Sequence, residues 1–267
     1  MLDKRSIKGL ASTAKDLDQW AKTDFASYIL REEQRIFSEK YASLPGYRFM
    51  HLGLTSDKDV GQSFSQIHRF NIQSSNGFTG VSAISDLSEL PLPSDVIDVV
   101  LLQHTLEFSV SPQSVLAEAC RVVAPGGHLL ICVMNPMGPL GMTKLPLQFL
   151  RRYPWYQFHS LRAGRLLDWL SLLNFEVAEI NHGAYRWPFR YRSSEKNLEA
   201  EPNQRPKKTW DQLCQSITFP LGNFYMIHGV KRVGRGVASS SLNWKSAARG
   251  HIPRSASHSI GSKKSKL

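Results

Sequence analysis

Five residues that could serve a binding site come at or just after apolar segments of the sequence. They are Gly53, Asn71, Asp86, Gln103 and His104. A carboxylate such as Asp86 can accept hydrogen bonds from a ligand, and an imidazole such as His104 can orient a substrate or accept a proton. These residues can act together only if the segments before them are neighbouring strands that end at one edge of a sheet.

The apolar segments before these residues predict such a sheet. The run VIDVVLL over 96–102 is typical of a central strand that is buried on both faces. Strands that alternate with helices favour an α/β, doubly wound, mostly parallel sheet, which binds its ligands beyond the carboxyl ends of the strands. The predicted strands cover residues 47–53, 66–72, 80–84, 96–102, 128–134, 175–180 and 223–230.

Capping residues predict where the helices begin and end. Ser111, followed by a proline, predicts a capped helix start, and Gly126 with Gly127 predicts the end of the same helix. A second helix is predicted from Ser160, with Asn174 as a left-handed C-cap. A short helix is also predicted over 59–64.

Three regions differ in composition. Residues 1–42 predict a helical N-terminal extension, 43–233 an α/β domain, and 234–267 a disordered basic tail. The chain has 267 residues and a formal net charge of +11, and the tail supplies seven lysines and arginines without an acid. A basic tail permits non-specific contact with nucleic acid.

Several classes of site and location are disfavoured by the sequence. Three widely spaced cysteines without a CxxC pair, and histidines without HxH or HExxH spacing, predict no metal site. Cys120 and Cys132 are expected to be buried core residues. Charged residues near the N-terminus and the absence of a long apolar run predict a cytoplasmic protein without membrane insertion.

The segment over 86–133 resembles the second half of the small, bacterial type of class I S-adenosylmethionine (SAM) methyltransferase domain. That family carries an acid, LPF, a short loop, FDVV, a helix that ends in RVLKPGG, and a strand. This chain has Asp86, then LPL, IDVV and RVVAPGG in the same order. A wider similarity, to uncharacterised bacterial methyltransferase-like proteins, covers roughly residues 18–233. The resemblance implies a Rossmann-like fold and SAM as cofactor.

The resemblance also implies roles for individual residues. The carboxylate of Asp86 would accept a hydrogen bond from the adenine amine, and the backbone N–H of Leu87 would face an adenine ring nitrogen. Gln103 and His104 would lie near the methionine part of SAM, and His104 is a weak catalytic candidate. The alternatives are a turn-forming Asp86 and a half-exposed His104 that only fills the strand end. Asp98, inside a strand, is expected to bind loop backbone.

The first strand and the second depart from the family pattern. ExGxGxG is replaced by HLGLTSD, so that only Gly53 remains of three glycines, and Asn71 is a weak substitute for the acid that binds ribose. Two functions therefore stay open: a SAM-dependent methyltransferase with an unknown methyl acceptor, or a degenerate fold that binds nucleic acid or protein without catalysis. A nicotinamide-dependent enzyme is disfavoured because GxGxxG is missing.

Overall fold

The structure is a computed structural model, and it describes residues 20–53, 60–74, 81–143, 158–188 and 220–233. Seven strands form one sheet in the order β3-β2-β1-β4-β5-β7-β6. Strands β1 to β5 pair in parallel, whereas β7 is antiparallel to both β5 and β6. The predicted doubly wound, mostly parallel sheet is confirmed. The strands are β1 (Arg48–Gly53), β2 (His68–Gln73), β3 (Ala83–Ile84), β4 (Ile97–Gln103), β5 (Val123–Met134), β6 (Phe175–Gly183) and β7 (Phe224–Lys231).

Helices cover both faces of the sheet. On one face, α1 (Asp24–Ile36) and the π-helical turn Phe37–Tyr41 pack on alternate residues of the central strands. On the other face lie α2 (Pro112–Val122) and α3 (Ala163–Leu172). Because the central strands are buried on both sides, their sequences are almost continuously apolar, as expected for a parallel sheet.

Helix α1 is the part of the predicted N-terminal extension that the structure describes. Thr23 caps it, with Oγ1 accepting a hydrogen bond from the Ala26 N–H at 3.3 Å. Its buried stripe includes Ile29, Glu33 and Ile36, which lie one helical turn apart. A glutamate therefore faces the sheet from within an apolar stripe.

The prediction that Gly126 and Gly127 end helix α2 is wrong. The helix ends at Val122, and β5 begins directly with Val123. In the pairing of β4 with β5, Ile97 lies opposite Val123 and Val99 lies opposite His128. Residues 124–127 therefore bulge out of the strand opposite Asp98. Gly126 has φ 78°, and a Cβ on Gly127 would lie 2.8 Å from the carbonyl oxygens of Ala124 and Asp98. The glycines are needed for this tight bulge rather than for a helix cap.

Other local predictions have mixed outcomes. Asn174 has the predicted left-handed conformation, with φ 65°, at the end of α3. Ser111 precedes α2 but its side chain makes no capping hydrogen bond, and α3 begins at Ala163 rather than Ser160. Only a 3₁₀ turn, Val60–Ser63, stands in place of the predicted helix over 59–64. The predicted basic tail and residues 1–19 lie outside the described residues.

The structural role expected for Asp98 is confirmed. Its Oδ2 accepts hydrogen bonds from the backbone N–H groups of Tyr47 and Arg48, both at 2.9 Å. Gly46, with φ 128°, lies against the same side chain, because a Cβ there would be 2.3 Å from the Asp98 Cβ. Asp98 thus holds the start of β1 beside β4.

Candidate functional site

The loop after β3 presents Asp86 to solvent. Its Oδ1 accepts hydrogen bonds from the Ser88 N–H at 2.9 Å and the Ser88 hydroxyl at 2.8 Å. These two bonds lower the pKa of Asp86, so that the carboxylate is ionised at neutral pH. The turn-forming role considered for Asp86 is therefore present. It occupies one oxygen, and no described residue donates to Oδ2.

Helix α2 holds the Asp86 loop in place. Glu118 Oε1 accepts a hydrogen bond from the Leu90 N–H at 2.8 Å, and Arg121 Nη2 donates to the Leu92 carbonyl at 2.8 Å. The two side chains also pair with each other at 2.7 Å. The buried side chain of Leu87 packs beneath the loop in the core. Asp86 is thus exposed while the loop that carries it is fixed.

Polar atoms near the end of β2 are buried but not hydrogen-bonded. Within the described ranges, Asn71 Oδ1 and the Ser74 hydroxyl oxygen have no hydrogen-bond partner. Asn71 lies beside His51 in the register of β1 and β2. A buried polar group without a partner is costly, so this end of the sheet is suited to a ligand that carries hydroxyl groups.

The end of β1 is closed by a histidine. A Cβ on Gly53 would lie 2.5 Å from Nε2 and 2.7 Å from Cε1 of His51, so the imidazole lies over the glycine. His51 Nε2 is 3.0 Å from Gln103 Oε1. Burial lowers the pKa of His51 to about 4, against a smaller opposing effect of the Gln103 bond, so the ring is neutral and donates.

A hydrogen-bonded chain continues from Gln103 to helix α1. Gln103 Nε2 donates to Glu33 Oε2 at 2.8 Å, and Glu33 Oε1 accepts from His104 Nε2 at 2.8 Å. His104 Nδ1 donates to Glu107 Oε1 at 2.8 Å, which also accepts from the Met134 N–H at 3.0 Å. These buried side chains form what we call the polar chain: His51, Gln103, Glu33, His104 and Glu107.

His104 is held as an imidazolium between two carboxylates. Burial alone would lower the pKa of His104, but the charges and hydrogen bonds of Glu33 and Glu107 outweigh it and raise the pKa to about 10. The backbone of His104 has φ 54°, which is uncommon outside glycine and aims the ring inward from the strand end. The alternative of a half-exposed His104 is wrong, because the residue is 2% exposed.

The structure thus separates the predicted site residues into two groups. Asp86 lies in a surface loop on the β3 side, whereas Gly53, Gln103 and His104 lie within or against the polar chain. Sequence reasoning missed His51, Glu33 and Glu107. The available signal was a charged or polar residue in an apolar pattern: Glu33 in the stripe of α1 and His51 in the strand RFMHLG.

Comparison with known proteins finds a family model that part of the chain matches. Residues 59–131 match the family model for a methyltransferase domain. The matched segment contains Asp86, Gln103 and His104 but neither His51 nor Glu33. Solved methyltransferases superpose on this chain at low sequence identity, which shows a shared fold. The chain has the fold of a class I methyltransferase. The family resemblance predicted from the sequence is confirmed.

Solved methyltransferases share this class I fold at low sequence identity. A SAM-dependent methyltransferase from Thermotoga maritima superposes with a TM-score of 0.59 at 17% identity, covering 83% of this chain and 97% of that one. A phosphoethanolamine N-methyltransferase from Haemonchus contortus superposes with a TM-score of 0.55 at 13% identity, covering 86% and 61%.

Curated relatives of this chain match it over parts of their length. The uncharacterised protein YafS of Escherichia coli is 31% identical over 160 residues, which is 60% of this chain and 65% of YafS. The ubiquinone/menaquinone biosynthesis C-methyltransferase UbiE of Bordetella parapertussis is 30% identical over 107 residues, 39% of this chain and 36% of UbiE. The chain therefore spans less than two thirds of either relative. None of the helices in the described ranges is long and apolar enough to cross a membrane.

Proposed function

We propose that the protein is a SAM-dependent methyltransferase whose methyl acceptor is unknown. The observation that carries this proposal is the match of residues 59–131 to a methyltransferase domain, within a sheet whose strand order is that of the class I fold. SAM would supply an electrophilic methyl group, and the protein would contribute binding and orientation.

The residues around β2 and β3 fit this cofactor. Asp86 is ionised and keeps one oxygen available for an amine donor such as that of adenine. The unpaired oxygens of Asn71 and Ser74 could bond the ribose hydroxyls. Neither residue is an acid, so Asp86 contributes the charged contact among these three residues.

The closed end of β1 favours a second candidate, a methyltransferase fold that binds a partner without catalysis. His51 fills the space over Gly53, and Gln103 is hydrogen-bonded on both sides of its amide. A cofactor would have to bind beside these groups rather than displace them. Binding of SAM distinguishes the two candidates.

Isothermal titration of SAM and S-adenosylhomocysteine into the full chain tests the proposal. We expect binding by the wild type, and a loss of about tenfold to a hundredfold for Asp86→Ala, because a hydrogen bond to a charged group contributes about 1.5–3 kcal/mol. Asp168→Ala, which removes an exposed carboxylate on helix α3, is the matched control and should bind as the wild type does.

Asp168→Ala should keep the melting temperature of the ligand-free protein, and Asp86→Ala should lower it only slightly, because the Asp86 carboxylate is exposed and loses only its two bonds from Ser88. Wild-type protein that binds neither SAM nor S-adenosylhomocysteine at millimolar ligand would exclude the enzyme and leave the non-catalytic candidate. Equal losses for Asp86→Ala and Asp168→Ala would exclude Asp86 from the cofactor site.

We further propose that the protein acts in the cytoplasm and that its tail contacts nucleic acid without sequence specificity. Cys120 and Cys132 are buried free thiols, which fits a reducing compartment. Binding of a duplex DNA probe should fall steeply with salt and be lost on deletion of residues 234–267. Binding that survives both changes would place recognition outside the tail.

A further inference from the structure

Three side chains with metal-binding atoms lie close together between helix α1 and the central strands β4 and β5. A carboxylate oxygen of Glu33, a ring nitrogen of His104 and the Sγ of Cys132 all lie within 4.8 Å of one another. Glu33 comes from helix α1, His104 from the end of β4, and Cys132 from β5, and all three are buried. Because these residues are far apart in the sequence, they form no metal-binding spacing motif.

The surroundings of these three atoms resemble the supporting shell of a metal site. His104 Nδ1 is bound to Glu107 at 2.8 Å, which leaves Nε2 as the atom that faces Glu33. Histidines that bind metals usually donate their other ring nitrogen to a carboxylate or carbonyl in this way. The second oxygen of Glu33 is fixed by Gln103 at 2.8 Å.

The local charge is also suited to a cation. Two carboxylates, Glu33 and Glu107, are fully buried here around a single imidazole. Within the described part of the chain, Glu107 Oε2 is buried without a hydrogen-bond partner. Buried carboxylates need compensation by a cation or by a complete set of hydrogen bonds, and an imidazolium compensates only one of the two.

We propose that Glu33, His104 and Cys132 bind a divalent transition-metal ion of the zinc class. The ion would form bonds to Glu33 Oε1, His104 Nε2 and Cys132 Sγ, and the protons on Nε2 and Sγ would leave to solvent. No oxidant or reductant takes part. The set of thiolate, imidazole and carboxylate is typical of zinc, whereas magnesium and calcium prefer oxygen ligands alone.

Such an ion would connect helix α1 to the central strands. Because the ligands come from three elements far apart in the chain, they assemble only when the protein folds, so metal binding would stabilise the folded state. This role is independent of the proposed methyl transfer, and its test needs no activity measurement.

The test is to refold the full chain with Zn²⁺ or Co²⁺, remove unbound metal, and measure metal content, visible absorption and melting temperature. We expect stoichiometric metal, a sulfur-to-cobalt charge-transfer band and a higher melting temperature than after refolding with chelator. Cys132→Ser should abolish the band and the added stability. Cys120→Ser, which removes the buried thiol of α2, should retain both.

The wild-type cobalt spectrum keeps the test decisive even if Cys132→Ser fails to fold. Retained metal without a sulfur band would place the ion at other histidines and overturn the proposal. A preparation with no metal after refolding would overturn it too, leaving a proton on His104 as the only cation of the cluster. The same conclusion would follow if Cys120→Ser lost the band while Cys132→Ser kept it.

Discussion

The carboxyl ends of β1 and β4 differ sharply from the ends of β2 and β3. At β1 and β4 the polar chain is buried, and His51, Gln103, Glu33, His104 and Glu107 hydrogen-bond one another. At β2 and β3, Asp86 is exposed and the buried oxygens of Asn71 and Ser74 have no partner among the described residues. Both regions belong to the edge where ligands of parallel sheets bind.

The comparison indicates that the two regions have different tasks. The side chains of the polar chain hydrogen-bond one another, apart from Glu107 Oε2, and such a buried network makes a region rigid and specifies one packing. The unpaired oxygens of Asn71 and Ser74 are instead available to a ligand. We infer that the polar chain chiefly stabilises the fold, and that recognition of the adenosine part of a cofactor depends on the region around Asp86.

The largest expected effect is on stability at the polar chain. Glu33→Ala should lower the free energy of unfolding by about 3–5 kcal/mol, because His104 would lose the partner of its Nε2 while remaining buried. Urea denaturation measures the change. Glu39→Ala is the control, since its exposed ion pair with Arg35 at 2.7 Å should contribute about 0–1 kcal/mol. Equal losses for the two variants would contradict a stabilising polar chain.

A smaller effect is expected where His51 lies over Gly53. Gly53→Ala should destabilise the protein by about 1–3 kcal/mol, because the added methyl group would overlap the imidazole. The double variant with His51→Ala should remove most of that cost, which a double-mutant cycle measures. Gly164→Ala is the control, since no atom lies within 4 Å of its added Cβ. If Gly53→Ala destabilised the His51→Ala variant as much as the wild type, Gly53 would be required for a reason other than the imidazole.

Much of the fold could be predicted from the sequence because its signals are local. The run IDVV in β4, the apolar face of α2 and the left-handed Asn174 are set by burial and backbone preference within a few residues. The polar chain could not be predicted in the same way. Glu33 and His104 are 71 positions apart, and only the packing of α1 on the sheet brings them together.

The distinction between local signals and contacts of distant residues also explains which site predictions were confirmed. Asp86 and Asp98 occur in a contiguous family pattern, and the structure shows Asp98 bound to backbone as expected. The place of His104 after β4 correctly predicts that it lies at the carboxyl end of the sheet, but it does not predict that helix α1 covers this residue. The bulge at Gly126 was missed because two glycines after a helix usually indicate a cap.

The smallest expected effect concerns the ionisation of Asp86. Two hydrogen bonds from Ser88 lower the pKa of this carboxyl group, and Ser88→Ala removes the hydroxyl bond while leaving the backbone bond. The pKa of Asp86 should therefore rise toward its ordinary value, and the effect should be small because the site is exposed to solvent. Carboxyl-carbon NMR across a pH titration measures the shift.

Ser85→Ala is the matched control for this titration, because the Ser85 hydroxyl donates to the backbone carbonyls of Asp86 and Glu89 and not to the carboxylate. Because folding lowers the pKa of Asp86, the ionised carboxylate stabilises the folded protein. This stabilisation is present above the pKa of Asp86 in the unfolded chain, and it is lost as pH falls through the pKa in the folded protein. If the ionised carboxylate binds the cofactor, SAM affinity should decline at low pH, and Ser88→Ala should move that decline to higher pH. The alternative outcomes are that Ser85→Ala and Ser88→Ala shift the pH of this decline equally, or that neither shifts it. Either result would assign the pH dependence to another group and would leave Asp86 with its turn-forming role alone.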